Sequence, residues 1–119
     1  MGSSFQFDPA EYAEELARAA VNFTIGSRLL HEDARIRVWD IALAPGQRLP
    51  FHRHRTTYFY RCHAGGPTRV RYPDGTGAVY ESAVDDVHVH GIGPDDLVIH
   101  DLENVGDSAL RFTTVELLG

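Results

Sequence analysis

Cysteine is almost absent: Cys62 is alone among 119 residues. One thiol cannot close an intramolecular disulfide, nor can it supply a zinc site built on several thiolates. Long apolar runs are missing as well, since none approaches the ~18 residues that a membrane-spanning helix needs. The first twenty residues mix acids into a start without a cationic cluster, unlike a secretory leader. There is no internal repeat, low-complexity tract or linker rich in Gly, Pro or Ser. A chain of this length builds one core, not two, so the expectation is a single compact domain in the cytoplasm. Positive charge is in the minority: 11 Lys+Arg against 17 Asp+Glu give a formal net charge of −6. With acids scattered along the chain, that balance argues against a nucleic-acid surface and against attachment to an anionic membrane. A small molecule is the expected partner.

Histidine is what the sequence has in quantity, with 7 residues. Because thiols are scarce, any bound metal must rely on imidazole and carboxylate.

The segment DPAEYAEELARAA, residues 8–20, carries a helix start. Asp8 can cap, Pro9 suits the first helical position, Glu11 lies in the first turn, and Tyr12, Leu16 and Ala20 recur at a spacing of four. This predicts a short N-terminal helix packed on the main body or against a second subunit, so residues 1–33 read as that helix and an approach segment. From 34 to 119 the pattern is one of short strands. The stretch ARIRVWDIAL alternates and ends at Pro45-Gly46, Gly65-Gly66-Pro67 closes the next strand segment, and Pro73-Asp74-Gly75 turns a hairpin. Further strands are expected near 84–92, 97–101 and 109–118. Short strands so spaced point to an antiparallel sandwich or small barrel.

Within FHRHRTTYFYRCH, residues two apart share a face, so His52 and His54 project together. If the strand stays regular, Thr56, Tyr58, Tyr60 and Cys62 join them. Two imidazoles on one face can converge on an ion at about 2.0–2.2 Å. The alternative is a chance pair of surface histidines flanked by Arg53 and Arg55.

Gly46, His52, His54, Tyr58 and Gly65 follow the spacing Gly-x5-His-x-His-x3-Glu-x6-Gly, except that tyrosine replaces glutamate. This resembles the first motif of the cupin family. His100, three residues before Asn104, resembles the end of the second cupin motif, although Asp95 and Leu97 stand where that motif has Pro and Gly, and Pro94 lies one place early. The resemblance covers roughly residues 34–118. It implies an all-β fold, a jelly-roll β-barrel of cupin type preceded by the short N-terminal α-helix. It also implies a divalent metal inside the barrel, held by His52, His54 and His100, with Tyr58 in place of the acidic ligand.

That replacement changes the charge of the site. Three neutral imidazoles leave a divalent ion near +2, which favours anionic, chelating substrates. A phenol with a pKa near 10 is a poor ligand, so Tyr58 is expected to hydrogen-bond substrate or bound water, with simple packing as the alternative. Cupins lacking the glutamate include three-histidine iron dioxygenases that cleave β-diketones or oxidise thiols. The first functional expectation is therefore an Fe(II) dioxygenase acting on a small organic acid or diketone-like molecule. The second is a redox-neutral lyase, dehydratase or isomerase using Zn, Mn or Ni, with His88, His90 or Tyr60 moving the proton. The third is a non-enzymatic cupin that binds a small ligand.

His88 and His90 form a second His-x-His pair whose common face points either into the barrel or to solvent. His31 and His63 read as exposed, Cys62 as a buried small hydrophobe, Trp39 as core and Asn104 as the holder of a turn. Tyr60 is expected to line the pocket, and Arg53 and Arg55 to point away from it. The acids Asp85, Asp86, Asp95, Asp96 and Asp101 read as a solvated rim. Edge strands of small cupins commonly pair across subunits, so a homodimer is expected.

Overall fold

The computed structural model describes residues 2–119. Strand β1 (Gly2–Gln6) leads into a 3-10 turn (Pro9–Tyr12) and helix α1 (Ala13–Ala19). Strands β2 (Arg28–Glu32), β3 (Ile36–Leu43), β4 (Arg48–His54), β5 (Tyr58–Ala64) and β6 (Gly66–Arg71) follow, then β7 (Thr76–Ser82), β8 (Val87–His90), β9 (Val98–Asn104) and β10 (Leu110–Leu117). They form two five-stranded antiparallel sheets, ordered β1-β7-β6-β9-β4 and β2-β3-β10-β5-β8. From β3 onward the chain passes repeatedly between the sheets, which is the jelly-roll arrangement of an all-β barrel.

The helix begins as its sequence demands. Asp8 accepts the Ala10 N–H at 3.0 Å and Pro9 takes the first position, but the first turn winds as a 3-10 helix before α1 starts. Alternation in β3, β5 and β10 buries Ile41, Leu43, Cys62, Leu110 and Phe112, with Leu49 of β4, in one cluster. Trp39 is also buried, its indole N–H donating to Glu116 at 2.7 Å. Gly46 at φ 81° and Gly75 at φ 89° take the left-handed backbone that their turns require.

Two sequence expectations need correction. The run from His52 to Cys62 does not remain one strand: it breaks at residues 55–57, so β4 belongs to the first sheet and β5 to the second. Asp101 is not a rim acid but fully buried, at 0% exposure. It accepts from Arg48 Nε at 2.9 Å, from the Arg71 backbone N–H at 2.7 Å and from Arg71 Nη1 at 2.9 Å. A carboxylate survives burial only when its lone pairs are satisfied in this way.

The edge strand β4 is covered by the N-terminal segment. Glu15 of α1 accepts the Phe51 N–H at 2.9 Å and a guanidinium N–H of Arg48 at 2.8 Å, while Asn22 receives the Arg53 N–H at 2.8 Å and donates to the Phe51 carbonyl at 3.0 Å. Phe7 and Tyr12 pack on Phe51, and the Arg48 and Arg71 guanidinium groups lie over the Tyr12 ring. Pro50, which has no N–H to donate, is placed on this edge strand at a register shift, where its loss to the ladder is least.

Candidate metal centre

Three histidines meet because of the register between β4 and β9. His52 pairs directly with His100, and His54, two residues on, faces the same way. Between Leu49 and His52 the register shifts by one residue. This bulge lets both Leu49 and His52 face the interior while Phe51, between them, turns outward under α1.

The ring centroids of the three histidines lie 4.8 to 5.0 Å apart, and one nitrogen from each falls within 4.8 Å of the others. His54 Nε2 and His100 Nε2 approach to 2.9 Å. His52 Nδ1–H donates to the Pro50 carbonyl at 2.8 Å, which fixes its tautomer and leaves the Nε2 lone pair free. Burial lowers the pKa of all three: His52 moves down, His54 to about 3 and His100 well below its ordinary value. All three are therefore neutral near pH 7, the form that binds metal. The buried Nδ1 of His54 has no partner. Neutral donors, convergent nitrogens and an oriented His52 tautomer fit a divalent ion of the Zn or Fe(II) class.

Tyr58, at 5% exposure, enters from β5 of the opposite sheet and stacks on His54 with centroids 4.0 Å apart and planes inclined by 14°. Its other face stacks on His90 at 4.9 Å. Burial raises its pKa above the ordinary phenol value, so it stays protonated. The ring thus braces His54. Its hydroxyl has no hydrogen-bond partner among the described residues, and Tyr58 lines the cavity.

The second His-x-His pair faces the same cavity. His90 pairs with Tyr58 and His88 with Tyr60 across the β5–β8 ladder, placing both imidazoles on the cavity wall and leaving Val87 and Val89 outside. Burial, then the neighbouring His88, lowers the pKa of His90. Tyr60 lines the cavity as expected, its proton held more firmly by burial, while a hydrogen bond from Tyr80 opposes that shift. His31 and His63 are exposed, and Arg55 stacks its guanidinium over Phe23 at 3.5 Å, away from the histidines. Asn104 donates to the Leu43 and Ser108 carbonyls and accepts the Gly106 N–H, holding the turn after β9.

The cavity between the sheets encloses about 460 Å³ and is mostly apolar, its walls continuous with the core through Ile41, Leu49 and Phe112. That volume suits one small ligand. Sequence reasoning did not pick out Tyr72, Tyr80 and Glu81, which also line it, and it read as a solvated rim acid Asp86, which is half-buried and lines the cavity too. The hairpin turn at Pro73–Gly75 fixes Tyr80 opposite Thr68 on the inner face, so Tyr80 was within reach of a register argument.

No protein-family model matches the chain, and no curated protein matches it in sequence. Solved structures do match in shape. A cupin domain from Bordetella pertussis aligns with TM-score 0.67 and 20% identity, over 76% of this chain and 88% of that one. A double-stranded β-helix protein of uncharacterised function from Klebsiella pneumoniae aligns with TM-score 0.60 and 18% identity, over 95% of this chain and 89% of that one. The polyketide cyclase RemF from Streptomyces resistomycificus aligns with TM-score 0.53 and 16% identity, over 73% of this chain and 57% of that one. Together with the strand order, these likenesses identify the fold as the cupin barrel.

Proposed function

We propose that this cupin-fold chain is a metal-dependent enzyme in which His52, His54 and His100 hold a divalent ion, Fe(II) before Zn, Mn or Ni, and that it oxidises a small organic acid or diketone-like molecule with O₂. The observation that carries this reading is the set of three neutral, buried imidazoles converging on one enclosed cavity. No carboxylate is among them, so the ion keeps its full charge toward an anionic chelating head. When bound, the metal supplies a Lewis acid and a path for electrons.

The protein's own groups do the rest. The Pro50 carbonyl orients His52, and the Tyr58 ring fixes the plane of His54. The Tyr58 hydroxyl, unpartnered and protonated, donates a hydrogen bond to an oxygen of the substrate head. Apolar walls exclude water from the chelate.

A second reading, a redox-neutral lyase, dehydratase or isomerase, is favoured by His90. This imidazole is neutral near pH 7, lines the cavity and stacks on Tyr58, so it is available to accept a proton. The shape likeness to a polyketide cyclase is compatible with such chemistry.

Elemental analysis of the purified protein, paired with O₂ consumption after anaerobic Fe(II) loading, separates the readings. Iron with substrate-dependent O₂ uptake supports the dioxygenase. A colourless zinc protein indifferent to O₂ removal sinks it and favours the second reading. Absence of any metal, with ligand affinity unchanged in His52→Ala/His54→Ala, leaves a binding protein.

A further inference from the structure

We infer that the outer face of the second sheet is an interface between two copies of this chain, seated on a row formed by Val38, Val115, Phe59 and Val89. The inference stands independently of the metal.

Strand register carries it. In β3, β5, β8 and β10 the residues that face the core and the cavity alternate with a second set, which points outward. Val38 pairs with Val115, Val115 with Phe59 and Phe59 with Val89, so four apolar side chains stand abreast across four neighbouring strands. Ile36 opposite Leu117 adds a second apolar row beside the first. Helix α1, the one α-helix among the described residues, packs on β4 of the first sheet instead. Val89 is therefore 69% exposed and Leu117 42%, while Ile36, Val38, Phe59 and Val115 are half-buried. The first sheet is built differently, with Arg48, Arg69, Arg71, Asp101 and Glu103 joined in ion pairs. Single exposed valines are ordinary, but a contiguous apolar row on one sheet face marks a contact.

Size and charge favour a second copy as the occupant. With strands about 4.8 Å apart and a rise of about 3.3 Å per residue, the five strands of this sheet present roughly 500 Å² in projection. Two copies together then remove about 1,000 Å² from water, the size at which specific interfaces begin. Beside the apolar rows, Arg111 is paired with Asp40 at 3.2 Å and Arg61 with Asp85 at 2.7 Å, and His63 meets the Thr113 hydroxyl at 2.7 Å. With those arginines answered on their own side, no strong single-sign field draws an anionic partner or repels an identical one.

An apolar row with a polar border is the pattern of a two-fold dimer, in which the same patch meets itself and two sheets pack face to face. Valine and isoleucine suit such a contact, because their restricted χ1 leaves little side-chain freedom to lose on association. The edges of this sheet suit pairing less: β2 is irregular between Leu29 and His31, and β8 has four residues. The contact thus uses the face of the sheet, not the edge strands whose pairing the sequence led us to expect. Phe59 and Val89 alternate along their strands with Tyr58, Tyr60, His88 and His90, so the contact also backs the cavity wall.

The test is sedimentation velocity of the full chain over a range from about 1 to about 100 μM. Twice the chain mass is expected at the upper end. Val89→Glu, at an exposed position, should raise the dissociation constant of the dimer by about tenfold or more. Val89→Glu/Leu117→Glu should be a monomer throughout, with the circular dichroism of the unsubstituted protein; if it does not fold, the single variant decides. Val84→Glu, also exposed but in the turn before β8, should sediment as the unsubstituted protein does. A monomer at the upper concentration overturns the inference, and flotation of that monomer with phosphatidylcholine vesicles would assign the face to lipid instead. A dimer untouched by Val89→Glu, or weakened equally by Val84→Glu, has its contact elsewhere and overturns the inference too.

Discussion

A buried phenol between two imidazoles is a poor acid and a poor ligand, so Tyr58 is predicted to act through its ring on His54 and through its hydroxyl on whatever fills the cavity. Tyr58→Phe keeps the stack and removes only an unpartnered hydroxyl, so stability should change by no more than about 0.5 kcal/mol and metal content should be unchanged. Tyr58→Ala removes the ring and should cost about 3 kcal/mol in urea unfolding, with weaker metal retention because His54 loses its brace. Loss of metal in Tyr58→Phe, measured by elemental analysis, would show that the phenol ligates after all. At this scale the sequence was partly legible. The common face of His52 and His54 could be read from local spacing, their grouping with His100 from the resemblance to the second cupin motif, and Asn104 from the turn it holds. Asp101 could not, because the arginines that make its burial tolerable lie 53 and 30 residues away, and without them an acid in a polar stretch reads as solvent-facing.

Among the elements, α1 is the one whose role exceeds its signature. Its start was legible from Asp8 and Pro9. Its docking was not, because the contact runs through Glu15, an ordinary acid of an amphipathic helix until the Phe51 N–H and Arg48 are beside it. Glu15 ties the helix to the strand that carries His52 and His54, and Glu15→Ala should cost about 2 kcal/mol, since it strands a backbone N–H and a half-buried guanidinium. The same contact predicts a pH dependence. Hydrogen bonds from Arg48, opposed by burial and reinforced by the Phe51 N–H, hold the Glu15 carboxyl below its ordinary value. Glu103 is lowered too, its burial outweighed by Arg69 and Arg71. A carboxyl depressed in the folded state stabilises above its unfolded pKa, and that contribution is lost as pH falls through the folded value. Urea midpoints of the native protein and Glu15→Gln should therefore differ above about pH 5 and converge below about pH 3. A gap that stays constant across this range would remove Glu15 from the account.

For the whole molecule, the fold class followed from short strands and turn dipeptides, but the exchange of strands between sheets did not. Nothing in Arg55-Thr56-Thr57 marks a corner as a Gly or Pro would, and the side-chain alternation carries on past it. The sheet-to-sheet crossing places Tyr58 against His54 from the opposite wall, so the candidate metal centre spans both layers: His52, His54 and His100 from the first sheet, with Tyr58 and His90 stacked behind them from the second. An ion held there binds only the folded chain, because the unfolded chain cannot bring residues 46 positions apart to one point. Free ion at about 100 times its dissociation constant then adds about 2.7 kcal/mol, which for a domain of this size raises the melting temperature by roughly ten degrees. Differential scanning calorimetry with Zn(II) and with excess chelator should show that interval, and hydrogen exchange should slow in β4 and β9 on loading. His100→Ala removes the ligand supplied by β9, and its melting temperature should respond little to Zn(II). An undiminished response in that variant would mean that the ion binds elsewhere, and the three-histidine centre would have to be abandoned.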